Sequence, residues 1–199
     1  MEFKDFKTPF ISDRDIKGKA NFFRKEHWGE VIPVDIENII EKSIAINIIP
    51  MPGLTQQCST DAFISSDWQS IFVDNDKYMD DSYYNRLKFS VAHEIGHLVL
   101  HKELYENLEI INEEDFKKFL TEVDGKQYGY IETQANKFAS YFLIPRHILI
   151  NERKRILHDY KDLVNNIDAK QLNSYIATPL SKIFVVSAEA MEIALNTEF

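Results

Sequence analysis

Residues 89–101 read FSVAHEIGHLVLH, an apolar run interrupted by three histidines and a glutamate. Each such group needs a partner when buried, or it costs several kcal/mol. His93 and His97 stand four residues apart. On a helix their imidazoles share one face, with Cβ atoms roughly 5–6 Å apart, and both can reach a single ion. Glu94 lies about 100° around the helix from His93. It is poorly placed as a third ligand but able to lean over a water held by that ion. This is the chemistry of H-E-x-x-H, in which two neutral imidazoles bind Zn²⁺ and the glutamate takes a proton from the water. On average residue usage, roughly one chain in several hundred of this length carries the pattern by chance.

Two candidates compete for the third ligand. Cys58, the one cysteine, lies upstream of the motif in an order that resembles the peptide deformylases, although its setting QQCST lacks their cysteine motif. A lone intracellular cysteine is more commonly a small buried apolar residue. The stronger candidate is Glu132, which opens ETQANKFASYFLIP. With Asn136, Ala139 and Leu143 it shares one side of a helix, flanked by Ala135, and the two alanines permit close approach to another helix. Asn136 is placed to hydrogen-bond the second ring nitrogen of a ligand histidine. The competing reading makes Glu132 an ordinary acid near a helix N-terminus, but the histidine pair still lacks a third ligand. His101 is about 12 Å along the axis from His93, too far to share its ion. It reads as structural or as support for a ligand.

These groups must be held by definite elements. On the helix carrying His93 and His97, Arg86, Phe89 and Ser90 fall on the histidine side, and Leu87, Val91, Ala92 and Ile95 on the opposite side. Gly96 flanks the histidine side and leaves room for a close neighbour. DDS at 80–82 supplies N-caps. Upstream, a short helix is expected at about Ile16–His27, and Pro33 opens a helical pattern, PVDIENIIEKS. Three β-like runs follow at 44–51, 61–65 and 70–74, the last two joined as a hairpin through SDWQ. Residues 102–131 read as charged and irregular, with one amphipathic piece near EEDFKKFL. Helices are then expected at about Glu132–Leu143, stopped by Pro145, and at about Arg146–Tyr160, followed by two short helices, the second capped by Ser187. The order is α+β, a small, mostly antiparallel sheet followed by helices. The organisation expected is an extension over 1–32, a core over 33–165 and a C-terminal helical pair over 166–199.

Composition sets outer limits. Hydrophobic residues make up 44% of the 199 and charged ones 28%, as in ordinary globular proteins. A single cysteine, no apolar leader and no membrane-length apolar run make the cytoplasm the expected address. The net charge of −9 argues against direct binding of nucleic acid. The tail LSKIFVVSAEAMEIAL has helix–turn–helix rhythm, yet the segment after Ser187 holds no lysine or arginine and carries Glu189, Glu192 and Glu198. Phosphates would repel it, so a docking or substrate-facing helix pair is expected instead.

The paired motifs HEIGHLVLH and ETQANKFASYFLIP resemble the ImmA/IrrE family of zinc metallopeptidases, most closely over residues 83–149. The resemblance implies a zincin-like core, Zn²⁺ bound by His93, His97 and Glu132, and Glu94 as the catalytic base. It also implies a protein substrate, a helix-turn-helix transcriptional repressor whose cleavage relieves repression. Residues 1–30 and 102–131 depart from the family pattern. An edge of the sheet, with SIFVD (70–74) as the candidate, would hold the substrate by strand addition, and Tyr128, Tyr130 and His147 are candidate oxyanion donors. Two other readings remain: a regulator that uses the zinc site as a brace and sequesters a repressor without cutting it, and a deformylase-like hydrolase using Cys58.

Overall fold

A computed structural model describes residues 3–159 and 168–198. In chain order, the elements leading to the histidine helix are α1 (Asp13–His27), α2 (Ile36–Ile39), β1 (Asn47–Met51), α3 (Leu54–Cys58), β2 (Ala62–Ile64), β3 (Ser70–Asp74) and α4 (Asn75–Tyr78). That helix is α5 (Tyr84–Leu100), and α6 (Lys102–Tyr105), α7 (Glu113–Glu122) and α8 (Gly125–Leu143) follow it. The chain closes with α9 (Arg146–Asp159), α10 (Ala169–Phe184) and α11 (Ala188–Glu198). This is the α+β class expected. The expected helix end at Tyr160 and the boundary at residue 165 lie outside the described residues.

The framework of the site is the crossing of α5 and α8. Val91, Ala92 and Ile95 are buried on α5, as the face analysis requires, and Ile131, Ala135, Phe138, Ala139 and Phe142 are buried on α8. From the other side α1 packs on α8, where the Phe23 ring meets Phe138 and Phe142 edge-on at 6.1 and 5.6 Å between centroids. Burying each aromatic ring here contributes on the order of 1.5–3 kcal/mol, so the helix carrying Glu132 is held on two faces. Asp80 accepts a hydrogen bond from Ser82 N–H at 2.9 Å and caps the 3₁₀ turn Asp81–Tyr83, which runs directly into α5.

The sheet has the order β1–β3–β2. β2 and β3 form the expected antiparallel hairpin, with Phe63 opposite Phe72 and the two rings stacked at 4.7 Å. β1 joins β3 in parallel, from Asn47↔Ser70 to Met51↔Asp74. The sheet is therefore mixed rather than mostly antiparallel. α3 and β2 intervene between the two strands in the chain, long enough to return it to the same end. β3 is paired on both sides and cannot accept a substrate strand, which corrects the expectation for SIFVD. β1 starts at Asn47 rather than residue 44, because the preceding residues close a π turn, Ile40–Ile44, and Ala45 is left-handed at φ 53°.

Residues 102–131 are more regular than their composition suggests. α7 opens on a capping box, with Asn112 Oδ1 accepting from Asp115 N–H at 3.0 Å and Asp115 Oδ2 accepting from Asn112 N–H at 3.3 Å. α8 starts at Gly125, seven residues before Glu132, because Asp124 accepts from the N–H groups of Lys126 and Gln127. Glu132 thus sits well inside its helix, beyond the first turn where a helix N-terminus favours acids. At the C-terminal end, Ser187 Oγ accepts from Ala190 N–H at 3.1 Å and caps α11, as expected. α10 is longer than expected at 16 residues, with Pro179 inside it. No described helix is long and apolar enough to cross a membrane.

Candidate metal centre

Residues from α5 and α8 meet in a small polar cluster. His93 Nε2 and His97 Nε2 are 3.0 Å apart. The two Glu132 oxygens reach them separately, Oε2 at 3.3 Å from His93 Nε2 and Oε1 at 3.4 Å from His97 Nε2. The remaining ring nitrogen of His93, Nδ1, lies 2.9 Å from Asn136 Oδ1. An amide oxygen only accepts, so Nδ1 donates, and Nε2 is the nitrogen left to meet His97 and Glu132. His93, Glu94, His97, Glu132 and Asn136 are thus all brought together.

Glu94 is buried, and its Oε2 accepts from Ile64 N–H on β2 at 2.9 Å. One ligand atom each from His93, Glu94 and His97 falls within 4.8 Å, so the cluster contains two acids. Their settings differ. Glu94 has one oxygen tied to a strand, whereas Glu132 places both oxygens against the imidazoles. Two imidazole nitrogens and a carboxylate form the donor set that suits Zn²⁺, and His93, His97 and Glu132 fit it better than a set including Glu94.

The electrostatics agree. Burial alone would raise the Glu132 carboxyl, but the two imidazoles against it hold it below the usual carboxylate range. Burial works against charge on His93, yet hydrogen bonding and proximity to Glu132, with help from Glu94, lift it to about 9. His97 is lowered by burial and by its charged neighbour His93. Glu94 is pushed up to about 8, by burial first and by the nearby Glu132 charge. The Glu132 carboxylate is the acid that favours positive charge at both Nε2 atoms.

The other sequence candidates divide. Tyr128, one turn before Glu132, is close enough to hydrogen-bond it, and burial with that charge raises its phenol well above the ordinary range. Tyr130 is largely exposed, and His147 pairs with Glu30 at 2.8 Å, away from the cluster. Cys58 is buried beside α7, where Glu113 and Lys117 act on its thiol, and it joins no cluster of ligand groups among the described residues. Burial raises its pKa, the opposite of what a thiolate ligand needs. The deformylase-like arrangement is not formed.

Two participants, Tyr105 and Gln134, escaped the sequence reading, and His101, read from the sequence as structural or as support for a ligand, stands with them. Tyr105 is buried and lays its ring 5.0 Å from that of His97. His101 Nδ1 lies 3.1 Å from His97 Nδ1. Gln134 meets His101 at 2.8 Å. For Gln134 a signal existed, because it falls on the apolar stripe with Ile131 and Phe138, where a polar side chain requires a reason.

The cluster opens into a cavity of about 430 Å³, lined by Thr60, Ala62, Glu94, Glu132 and Asn136 among others. A second cavity of about 810 Å³ shares Asp61, Arg86, Phe89, Ser90 and Asn136 with it and extends to Ala190 and Ile193 of α11. The C-terminal helix therefore faces the cleft.

An α+β frame carries an H-E-x-x-H helix whose imidazoles meet a glutamate from a second helix, a cluster that could hold a metal ion. The family model Peptidase_M78, the IrrE N-terminal-like domain, matches residues 82–196, more than half of the sequence, and the chain belongs to that peptidase family. No curated protein matches it in sequence.

Proposed function

We propose that this chain is a zinc-dependent endopeptidase acting on a helix-turn-helix transcriptional repressor in the cytoplasm. The observation that most supports it is the convergence of His93 Nε2, His97 Nε2 and Glu132 within 3.0–3.4 Å beside Glu94, in a member of a peptidase family. His93, His97 and Glu132 would hold Zn²⁺, oriented through Asn136. When bound, Zn²⁺ polarises a carbonyl and lowers the pKa of a water molecule. Glu94 has Oε2 held by Ile64 N–H, which leaves Oε1 for proton transfer. It accepts a proton from the attacking water and returns it to the leaving amine. Burial makes this carboxylate more basic than an exposed one.

β2 is an edge strand of the sheet, and its Ala62 lines the cavity of the cluster. In its ladder with β3, Ser65 N–H bonds Ser70 O and Asp74 N–H bonds Asp61 O. By alternation, Ala62 and Ile64 direct their backbone groups outward. Glu94 takes Ile64 N–H and Thr60 Oγ1 donates to Ala62 O at 2.9 Å, so this strand is tied to the helix of the site and holds Glu94 beside the cavity. The overall charge of −9 suits a basic, DNA-binding substrate. In this reading the core spans 33–165, with 1–32 and 166–199 as flanking units and the C-terminal pair a wall of the cleft.

The test is zinc content together with incubation of wild type and Glu94→Gln with a candidate helix-turn-helix repressor. Wild type is expected to carry one zinc and to cut, and Glu94→Gln to carry zinc and not cut. Equal relief of repression by both, with no cleavage, would overturn the peptidase reading in favour of a sequestering regulator.

A further inference from the structure

We infer that Gln134 and His101 are positioning residues for the metal centre. Through a directional chain of hydrogen bonds anchored on the Pro9 carbonyl, they set which ring nitrogen of His97 carries the proton. The direction follows from donor and acceptor chemistry alone. A backbone carbonyl can only accept, so the Gln134 amide nitrogen faces Pro9 O, at 2.8 Å. That turns Gln134 Oε1 toward His101 Nε2, also at 2.8 Å. The amide oxygen accepts, so His101 carries its hydrogen on Nε2. No carboxylate bonds His101, and a buried imidazolium without one is costly; its Nδ1 is therefore an acceptor. His97 Nδ1, 3.1 Å away, must donate to it. The lone pair of His97 is thereby left on Nε2, the atom that faces His93 Nε2 and Glu132.

Burial gives the chain its force. His101 is 2% exposed and Gln134 8%, so water does not readily substitute for a missing link. The anchor is held as well. Thr8 N–H donates to Gln127 Oε1 at 2.8 Å, and Thr8 Oγ1 donates to Gln127 O at 2.6 Å. The segment before α1 is thus fastened along α8 at two successive places. Although it lies some ninety residues from His97 in the chain, it fixes the amide whose orientation decides that ring. His93 is served separately, by Asn136.

The consequence for metal binding rests on the zinc reading above, whereas the proton positions do not. The test therefore begins with the metal-free, full-length protein labelled with ¹⁵N-histidine. Long-range ¹H–¹⁵N spectra are expected to show His97 protonated on Nδ1 and His101 on Nε2. In His101→Asn an amide oxygen stands near the former Nδ1 position, so the His97 proton stays on Nδ1 and zinc affinity stays close to wild type. In His101→Phe and Gln134→Met, His97 becomes a mixture of tautomers and zinc affinity falls by about 10- to 100-fold, the usual effect of losing such support. A purely structural role would not separate Asn from Phe at position 101. Wild-type His97 protonated on Nε2, or His101→Phe binding zinc as tightly as wild type, would overturn the proposal, and the wild-type spectrum decides even if a variant fails to fold. Absence of zinc from every variant would instead sink the metal reading while leaving the spectra to judge the chain.

Discussion

Gly96 and Ala135 bring α5 and α8 into backbone contact: a Cβ at position 96 would stand 3.2 Å from both Cα and O of Ala135, and 3.2 Å from Phe138 Cδ1. His93 is three residues before Gly96 and Glu132 three before Ala135, so each ligand candidate stands about one turn from the crossing on its own helix. The absence of a side chain at position 96 therefore sets how closely the carboxylate of one helix approaches the imidazoles of the other. In Gly96→Val the helices are expected to separate, at a cost of about 1–3 kcal/mol for overpacking. Urea denaturation of the metal-free protein reads that cost, and zinc titration is expected to show weaker binding as Glu132 retreats.

Removing single ligands should separate the candidates for the third position. Glu132→Ala is expected to lose stoichiometric zinc, and Cys58→Ser to keep it, by elemental analysis after reconstitution. Because an ion that binds only the folded state stabilises it, a chelator should lower the melting temperature of wild type and of Cys58→Ser but leave Glu132→Ala unchanged.

A buried lysine makes stability depend on alkaline pH. Lys88, 3% exposed, donates to Val185 O at 3.1 Å, and burial lowers its ammonium to about 8 despite the attraction of Asp35 and Glu37. In the unfolded chain a lysine holds its proton up to about 10.4. Between these values the unfolded state binds more protons, so stability should rise with pH, by up to about 3 kcal/mol. Lys88→Met is expected to be the more stable protein near pH 7 and to remove this slope, read by urea denaturation from pH 7 to 10.5.

Asp61 should shape the acid limb. It is 8% exposed and accepts from Arg86 and Lys77. Burial alone would raise its carboxyl, but those two cations outweigh it and hold it below the ordinary value. A depressed carboxyl contributes stability above its unfolded pKa, about 3.9, and loses it as pH falls through the lower folded value. Asp61→Asn is expected to cost about 1–2 kcal/mol at neutral pH, a figure discounted because Arg86 is largely exposed. The difference from wild type should shrink as pH falls below about 4, measured by denaturation at each pH.

Much of the site could be read from spacing. On one helix the period of 3.6 residues puts His93 and His97 on the same face and Val91, Ala92 and Ile95 on the opposite one, and no other part of the chain can change that. The small residues Gly96, Ala135 and Ala139 announced a close helix crossing, and Asn136 announced support for a ligand. The start of α8 was hidden because DGKQYGY carries two glycines and reads as a loop. Capping by Asp124 and the ties from Thr8 to Gln127 outweigh that local preference.

Local pattern by itself determined the class of the fold, the helix presenting the two imidazoles and the residue types able to hold a cation, because periodicity and side-chain chemistry act over a few residues. Tertiary structure alone decided the parallel pairing of β1 with β3, the removal of Cys58 to the flank of α7 and the tie from Glu94 to Ile64. It also placed Pro9 behind Gln134, His101 and His97. These are contacts between segments far apart in the chain, and their energies come from burial and hydrogen-bond direction at the places where those segments meet.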